Sequence, residues 1–226
     1  MFWYIGKIKI LSSRTNIEIE NCKEIKFLGV WLDHKLTFAK HVNYVCGKIS
    51  KCSGILAKLK SYLPEPILKQ LYNTLALPHI NYCISTWGSA ANTILHKLTV
   101  QQKTLIRIIN NVPFRTHTSP LYKKMNLLKI SDLYKYSCLV VMYNCLKNNR
   151  HTNLYIKILS LQNNVHNMQF RNSLSLRLPF YNLTRCKQSI LYNGIQNWNN
   201  IPHNIKQSPS IYSFKKNCSK KFIDDY

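Results

Sequence analysis

Acidic residues are scarce. The chain has 8 Asp and Glu among 226 residues, against 32 Lys and Arg. Two-metal polymerases and nucleases hold their cations with clustered carboxylates. Here Glu18, Glu20, Glu24, Asp33, Glu65, Asp132, Asp224 and Asp225 are dispersed. Glu18 and Glu20 can share a strand face and Asp224-Asp225 are adjacent, but no third acid joins either pair. Glycine is scarce too: the 6 present are unclustered, so no phosphate-cradling loop is expected. There is no C-x-x-C pair, and His79 with Cys83 is an isolated i,i+4 coincidence, so zinc is not expected either. No nucleophile elbow occurs, and His117 beside Thr118-Ser119 reads as a loop or capping residue. No run reaches the ~20 apolar residues of a membrane span. Met1 to Leu11 is apolar but broken by Lys7 and Lys9, and it lacks a small-residue cleavage site. Of the 8 cysteines, Cys46, Cys52, Cys138 and Cys145 fall in helix-like apolar patterns, which reads as reduced thiols in an intracellular protein. No catalytic residue, metal ligand or cofactor site is therefore expected on this chain.

What is abundant is positive charge and apolar surface. The composition is 46% hydrophobic, enough for a packed core, and the formal charge is +24. A small domain ordinarily carries a net charge of magnitude about 2–8. The excess repels itself in the compact state unless a polyanion neutralises it. Nucleic acid is the first such partner to consider, because each neutralised phosphate releases counterions. An anionic membrane surface is the other that composition allows, and a solvated basic surface without a dedicated partner is the bland alternative.

The first segment reads as strands. Arg14-Thr15-Asn16 supplies a turn, Ile17, Ile19, Ile25, Phe27 and Val30 keep a roughly two-residue alternation, and Asn21-Cys22-Lys23 is the expected turn between Ile17–Glu20 and Glu24–Leu32. A hairpin of this size is not stable alone, so the chain reads as starting within a sheet. From Phe38 the period changes. Phe38, Val42, Val45, Ile49, Cys52, Leu56, Leu59 and Leu63 recur at steps of three and four, which is one stripe of an amphipathic helix with Thr37 as its expected N-cap. Lys40, Lys48, Lys51 and Lys58 cluster on the opposite side, with Lys60 the exception. They form a row along roughly 27 Å of helix at ~1.5 Å per residue. Lysines so placed meet phosphates as point charges and carry no sequence readout.

Pro64-Glu65-Pro66 opens a second helix with Ile67, Leu68, Leu71, Tyr72 and Leu75 inward, which Pro78 interrupts. Asn92 or Thr93 caps a third, carrying Ile94, Leu95, Leu98, Leu105, Ile108 and Ile109 inward and Lys103 with Arg107 on one face. Three helices with short links predict a bundle. Ser119-Pro120 has the form of a helix start, and Ser131-Asp132 opens a longer helix. Residues 147–169 are Asn-rich and read as a linker. Leu174, Leu176 and Leu178 alternate like a strand. Ser208-Pro209-Ser210 leads into a last helix with Ile211, Phe214, Cys218 and Phe222 on one side and Lys215, Lys216, Lys220 and Lys221 on the others.

Several blocks, taken in order, resemble the C-terminal third of reverse transcriptases from non-LTR (LINE-type, jockey-like) retrotransposons. The first is Lys26-Phe27-Leu28-Gly29-Val30-Trp31-Leu32-Asp33 with Leu36-Thr37-Phe38 and His41-Val42. Then come Pro78-His79-Ile80-Asn81-Tyr82-Cys83 with Trp87-Gly88, and Leu98, Gln101-Gln102-Lys103 and Arg107-Ile108. His117-Thr118-Ser119-Pro120-Leu121, Trp198-Asn199-Asn200-Ile201-Pro202 and Ser213-Phe214-Lys215-Lys216 complete the series. The resemblance implies that Phe27, Leu28 and Gly29 sit in a hairpin that steadies the primer end, and that Lys40, Lys48, Lys51, Lys58, Lys103 and Arg107 track a primer–template duplex. Simple core packing is the alternative role for Phe27 and Leu28, and a β-bulge or hairpin twist for Gly29. The catalytic palm of that family, with its paired aspartates, precedes the Phe27-Leu28-Gly29 block. Roughly two dozen residues stand there in this chain, with no Asp among them.

The expected fold is therefore mainly α with small β elements. Residues 1–34 are palm-end strands, 35–112 a thumb-like three-helix bundle, and 113–226 a helical C-terminal region with a short β-hairpin. The expected function is that of a reverse-transcriptase fragment that binds nucleic acid nonspecifically and does not polymerise on its own, Mg²⁺ belonging only to the complete polymerase. Its partners would be RNA or DNA backbone, an absent palm and fingers, or a second copy, with no membrane. Its lysine-rich stretches are compatible with nuclear entry. A basic helical protein-interaction module and a non-functional transposon relic are the alternatives.

Overall fold

A computed structural model describes residues 22–147 and 175–226, together with the backbone of 8–12 and 15–19. The fold is mainly helical, with two small antiparallel sheets. No described helix is long and apolar enough to cross a membrane.

Two hairpins follow one another. β1 (Ile8–Ser12) pairs with β2 (Thr15–Ile19), and β3 (Glu24–Phe27) pairs with β4 (Val30–Asp33) in the register Glu24↔Asp33 to Phe27↔Val30. The expected single strand over Glu24–Leu32, turning back at Asn21-Cys22-Lys23, is thus corrected: the reversal lies inside it, at Leu28-Gly29. Thr15 and Asn16, read as a turn, belong to β2. The physical reason is Gly29, whose φ of 83° completes a two-residue turn in which Leu28 is also left-handed at φ 43°. Tight hairpin loops favour that mirror-image turn because it matches strand twist.

The β3–β4 hairpin delivers Asp33 to the start of the first helix, α1 (Ala39–Leu59). Its carboxylate accepts hydrogen bonds from the Thr37 and Phe38 amides at 3.0 and 2.8 Å. Phe38, not Thr37, is the N-cap, in a left-handed conformation that turns its ring into the core, while the Thr37 hydroxyl accepts from the Ala39 amide at 3.4 Å. The inward stripe is as expected: Val42, Val45, Ile49, Cys52 and Leu56 are buried.

α2 (Glu65–Leu71) runs into a π-helical turn at Tyr72–Ala76 and on into α3 (Leu77–Asn81). Pro78, which lacks an amide hydrogen and crowds the preceding turn, is accommodated by that widened turn, so the path is offset where an interruption was expected. α4 (Ile84–Trp87) ends at Gly88, and α5 (Asn92–Ile109) starts without a side-chain cap, so neither Asn92 nor Thr93 serves as one. α6 (Ser119–Met125) has Pro120 in its first turn, and α7 (Ile130–Lys147) begins one residue before the expected Ser131. α8 (Thr184–Lys187), α9 (Ile190–Asn200), α10 (His203–Lys206) and α11 (Ile211–Asp224) complete the chain. Ser189 and Ser210 cap α9 and α11 through their hydroxyls.

The expected C-terminal β-hairpin falls partly outside the described residues, within which Leu176 is a bridge residue. Leu176 also lies beside Asn199, whose amide accepts from the Leu176 N–H and donates to its carbonyl, both at 2.9 Å. The Asn-rich linker lies outside the described residues, apart from Lys147 at the end of α7.

Burial divides into two cores. The first gathers α1 through α6 and the front of α7, and the second gathers Leu139, Met142 and Tyr143 of α7 with α9, α10 and α11. Gln102 is the hub of the first. Its amide donates to the Tyr72 hydroxyl and the Leu128 carbonyl, both at 3.0 Å, and accepts from the Tyr122 hydroxyl at 2.9 Å and the Ile130 amide at 3.1 Å. Both donors and both acceptor positions are used. Burial pushes the Tyr72 phenol up to about 12. All 8 cysteines are unbridged thiols, and burial raises Cys138 to about 11 and Cys218 to about 12, which disfavours their thiolate forms.

Candidate nucleic-acid interface

The helical period of α1 leaves one side to solvent, and the expected lysines stand on it. Lys40, Lys51 and Lys58 are exposed and Lys48 is half-buried. On the same side lie Gly47 and Gly54, two turns apart. A Cβ at either would meet nothing within 4 Å, so packing does not demand a glycine there. Each costs the helix about 1 kcal/mol relative to Ala. Their effect is to leave exposed helix backbone without a side chain between the lysines.

Hairpin β3–β4 extends this surface. Lys26 reaches across to Tyr44 of α1, its Nζ 5.3 Å from the ring centroid, and Lys48 stands 5.5 Å from the same ring. Lys40 lies 3.9 Å over the Trp31 ring and pairs with Glu24, while Lys26 is 5.9 Å from that ring. Cations interleaved with Trp and Tyr faces form a surface able to meet both phosphates and bases. Lys26 carries no periodic signal in the sequence and joins the site only through the hairpin.

Phe27 and Leu28, for which core packing was one reading, are 59% and 74% exposed at the hairpin tip. The tip is held by the Tyr82 hydroxyl, which donates to the Leu28 carbonyl at 2.5 Å, and a Cβ on Gly29 would come within 3.3 Å of that tyrosine ring. Lys103 and Arg107 are half-buried on α5. Arg107 is tied to the following connector: its Nε donates to the Thr116 carbonyl at 2.9 Å and its guanidinium lies 5.4 Å over Phe114.

Between the hairpin and helices α1 and α3 lies a cavity of about 260 Å³, lined by Lys26, Gly29, His41, Tyr44, Val45, Lys48, His79 and Tyr82. His41 is 2% exposed and its Nδ1 accepts from the Trp31 amide at 3.4 Å, which places the ring proton on Nε2. That Nε2 has no partner among the described residues. Burial lowers the affinity of this ring for a second proton. A larger cavity of about 490 Å³, beside α7 and α11, differs: Lys135 meets Asp132 at 3.2 Å and Lys221 meets Asp225 at 3.4 Å, so its charges are largely matched.

Among the described residues, four acids are engaged by other groups. Asp33 is engaged by the α1 amides, Glu24 by Lys40, Glu65 by Lys124, and Asp132 by Lys135 and the Tyr226 hydroxyl. No group of three His, Cys, Asp or Glu side chains comes together among the described residues.

Over 118 residues the chain is 30% identical to the RNA-directed DNA polymerase from mobile element jockey of Drosophila funebris, and 25% identical to that of Drosophila melanogaster. This chain is similar to the RNA-directed DNA polymerases of mobile elements. A further relative is the probable RNA-directed DNA polymerase from transposon X-element of Drosophila melanogaster, 26% identical over 111 residues. The jockey alignments take in 50% of this chain and 13% of each polymerase, so the chain spans a small part of the curated relatives it matches. No family model and no solved structure matches it.

Proposed function

We propose that this chain grips the backbone of RNA or DNA without reading its sequence, as the duplex-holding part of a reverse-transcriptase-related protein, and that it supplies no polymerisation chemistry or metal of its own. One observation carries the reading: Lys40, Lys48, Lys51 and Lys58 share the solvent side of α1 with Gly47 and Gly54, and Lys26 joins them across the hairpin. Glu24 is the acid paired within this group. The similarity to RNA-directed DNA polymerases supports the same reading.

Replacing Lys40, Lys48, Lys51 and Lys58 together with Gln tests it. Affinity falls alike for oligonucleotides of unrelated sequence, and the dependence of log affinity on log salt flattens by ~0.9 per lost contact on B-form DNA or ~0.7 on single strands. Unchanged affinity and slope would remove α1 from the interface.

A second reading has its own support. Ile25, Phe27, Leu28 and Leu36 form an exposed apolar group at the hairpin, suited to docking a protein surface, either a polymerase palm or a second copy. Weak heparin retention together with self-association on size exclusion would favour it over the first.

A further inference from the structure

The connector between α5 and α6 lies apart from the hairpin and presents a ring of its own. The Pro113 carbonyl accepts from the Thr116 amide at 3.0 Å, closing a turn with Phe114 and Arg115 at its two central positions. Both side chains stand in solvent, and Phe114 is 72% exposed. A single apolar residue on a surface is ordinary. This one is braced. The Arg107 guanidinium lies 5.4 Å over the ring while its Nε donates to the Thr116 carbonyl at 2.9 Å, so one arginine ties both the turn and the ring to α5. Asn111, left-handed at φ 49°, turns the chain off the end of α5 toward it.

The charge around the ring selects its partner. No acid occurs between Glu65 and Asp132 in the sequence, and Arg107 and Arg115 meet no carboxylate among the described residues. Lys103 stands one turn before Arg107 on the same side of α5. Asn111, Arg115 and His117, also exposed in the connector, add no apolar area of the kind that forms the core of a protein interface. An aromatic face with guanidinium groups beside it suits a nucleobase, whose π-face lies on the ring while the adjoining phosphate finds a cation. A base inside a duplex is already stacked and paired. Only an unpaired one is free to lie on Phe114.

We propose that Phe114 is a stacking platform for one unpaired nucleobase, so that the turn between α5 and α6 selects single-stranded nucleic acid or the unpaired end of a duplex. This rests on the nucleic-acid reading and narrows the substrate at this point from any backbone to an unpaired strand. It differs from the row along α1 in its chemistry. Stacking releases no counterions, so its contribution persists at salt concentrations where that of the lysines fades.

The test compares the full chain with F114A and F114W, using a short single strand that carries 5-iodouracil and the same strand annealed into a blunt duplex. Light joins an iodinated pyrimidine to an aromatic ring stacked on it, and mass spectrometry locates the joined residue. Expected is a cross-link to Phe114 from the single strand and none from the duplex. Single-strand affinity falls roughly tenfold in F114A, duplex affinity and the slope of log affinity against log salt stay unchanged, and F114W restores both affinity and cross-link. Circular dichroism reports that both variants remain folded, as the exposure of the residue leads one to expect. No cross-link at Phe114, equal losses for the two probes, or a failure of F114W to restore binding overturns the proposal. So does an F114A protein whose only change is its self-association on size exclusion, which would make the ring a protein contact. The α1 reading is separated by the quadruple Lys→Gln protein: if it keeps full affinity for both probes while F114A does not, that reading fails and this one stands. A wild-type chain that binds neither probe overturns both.

Discussion

Gln102 and His41 are both buried polar side chains, and the surroundings treat them in opposite ways. Every donor and acceptor of the Gln102 amide is used, by groups from the π-turn, from α6 and from the approach to α7. His41, 12 residues after Gly29 of the strained turn in sequence and beside it in space, keeps a donor without an acceptor. Near Gln102 the rules of burial are obeyed, and near His41 several are broken at once: an orphaned donor, a left-handed leucine, exposed Phe27 and Leu28, and glycines on a helix surface. Natural proteins concentrate such departures where they function. The contrast sets a fully satisfied scaffold at Gln102 against the hairpin–α1 corner, where the proposed interface lies.

The largest expected effect comes from making the first site resemble the second. Gln102→Ala strands two buried tyrosine hydroxyls, a carbonyl and an amide, and stability should fall by about 3–4 kcal/mol in denaturant titration. A loss under about 1 kcal/mol would show that water replaces the amide and that the hub is ordinary. The opposite manipulation relieves strain in the corner. Leu28→Asn puts a residue that tolerates the left-handed region into the tight turn, and the melting temperature should rise, corresponding to ~1 kcal/mol. A lower melting temperature would mean the leucine contributes to folding in a way its exposure does not reveal.

The smallest effect concerns the joint between hairpin and helix. Partial burial of Asp33 opposes its ionisation, but the Thr37 and Phe38 amides outweigh it and hold the carboxyl below its ordinary 3.8. A depressed folded value means that the contribution is complete above the unfolded value and is lost as pH falls through the folded one. Wild type should therefore lose about 1 kcal/mol more than Asp33→Asn on acidification from pH ~5, through the unfolded carboxyl value of ~3.9, to below the depressed folded value. Parallel pH profiles would detach Asp33 from the start of α1.

The helices were legible because burial writes itself as a period. Val42, Val45, Ile49, Cys52 and Leu56 are buried as the three-and-four spacing requires, and Lys40, Lys51 and Lys58 face outward. In α5 the stripe was drawn slightly off: Ile106 is buried while Ile108 is only partly so. The second hairpin was missed because its turn is Leu-Gly and not the Asn-Gly or Asp-Gly that marks a tight reversal. The alternation of Leu174, Leu176 and Leu178 falls partly outside the described residues, and what it does not record is the side chain of Asn199, which bonds the Leu176 backbone on both sides. The row of site lysines could be read, since it needs one helix. Lys26, His41 and His79 could not, because only the folding of the hairpin onto α1 and α3 brings them together. Gln102 had a faint signal, a glutamine in line with Leu98, Leu105 and Ile109, though nothing local tells a hub from a tolerated polar residue.

α7 belongs to both hydrophobic clusters, giving Ile130 and Leu133 to one and Leu139, Met142 and Tyr143 to the other. It works as a shared axle. Neither half can shed its share of that helix without shortening the bonded ladder on which the other half leans, so the two clusters should unfold together under heat or denaturant. The proposed grip on a long polyanion would draw on such a shaft, because load taken up beside one cluster would pass through α7 to the other.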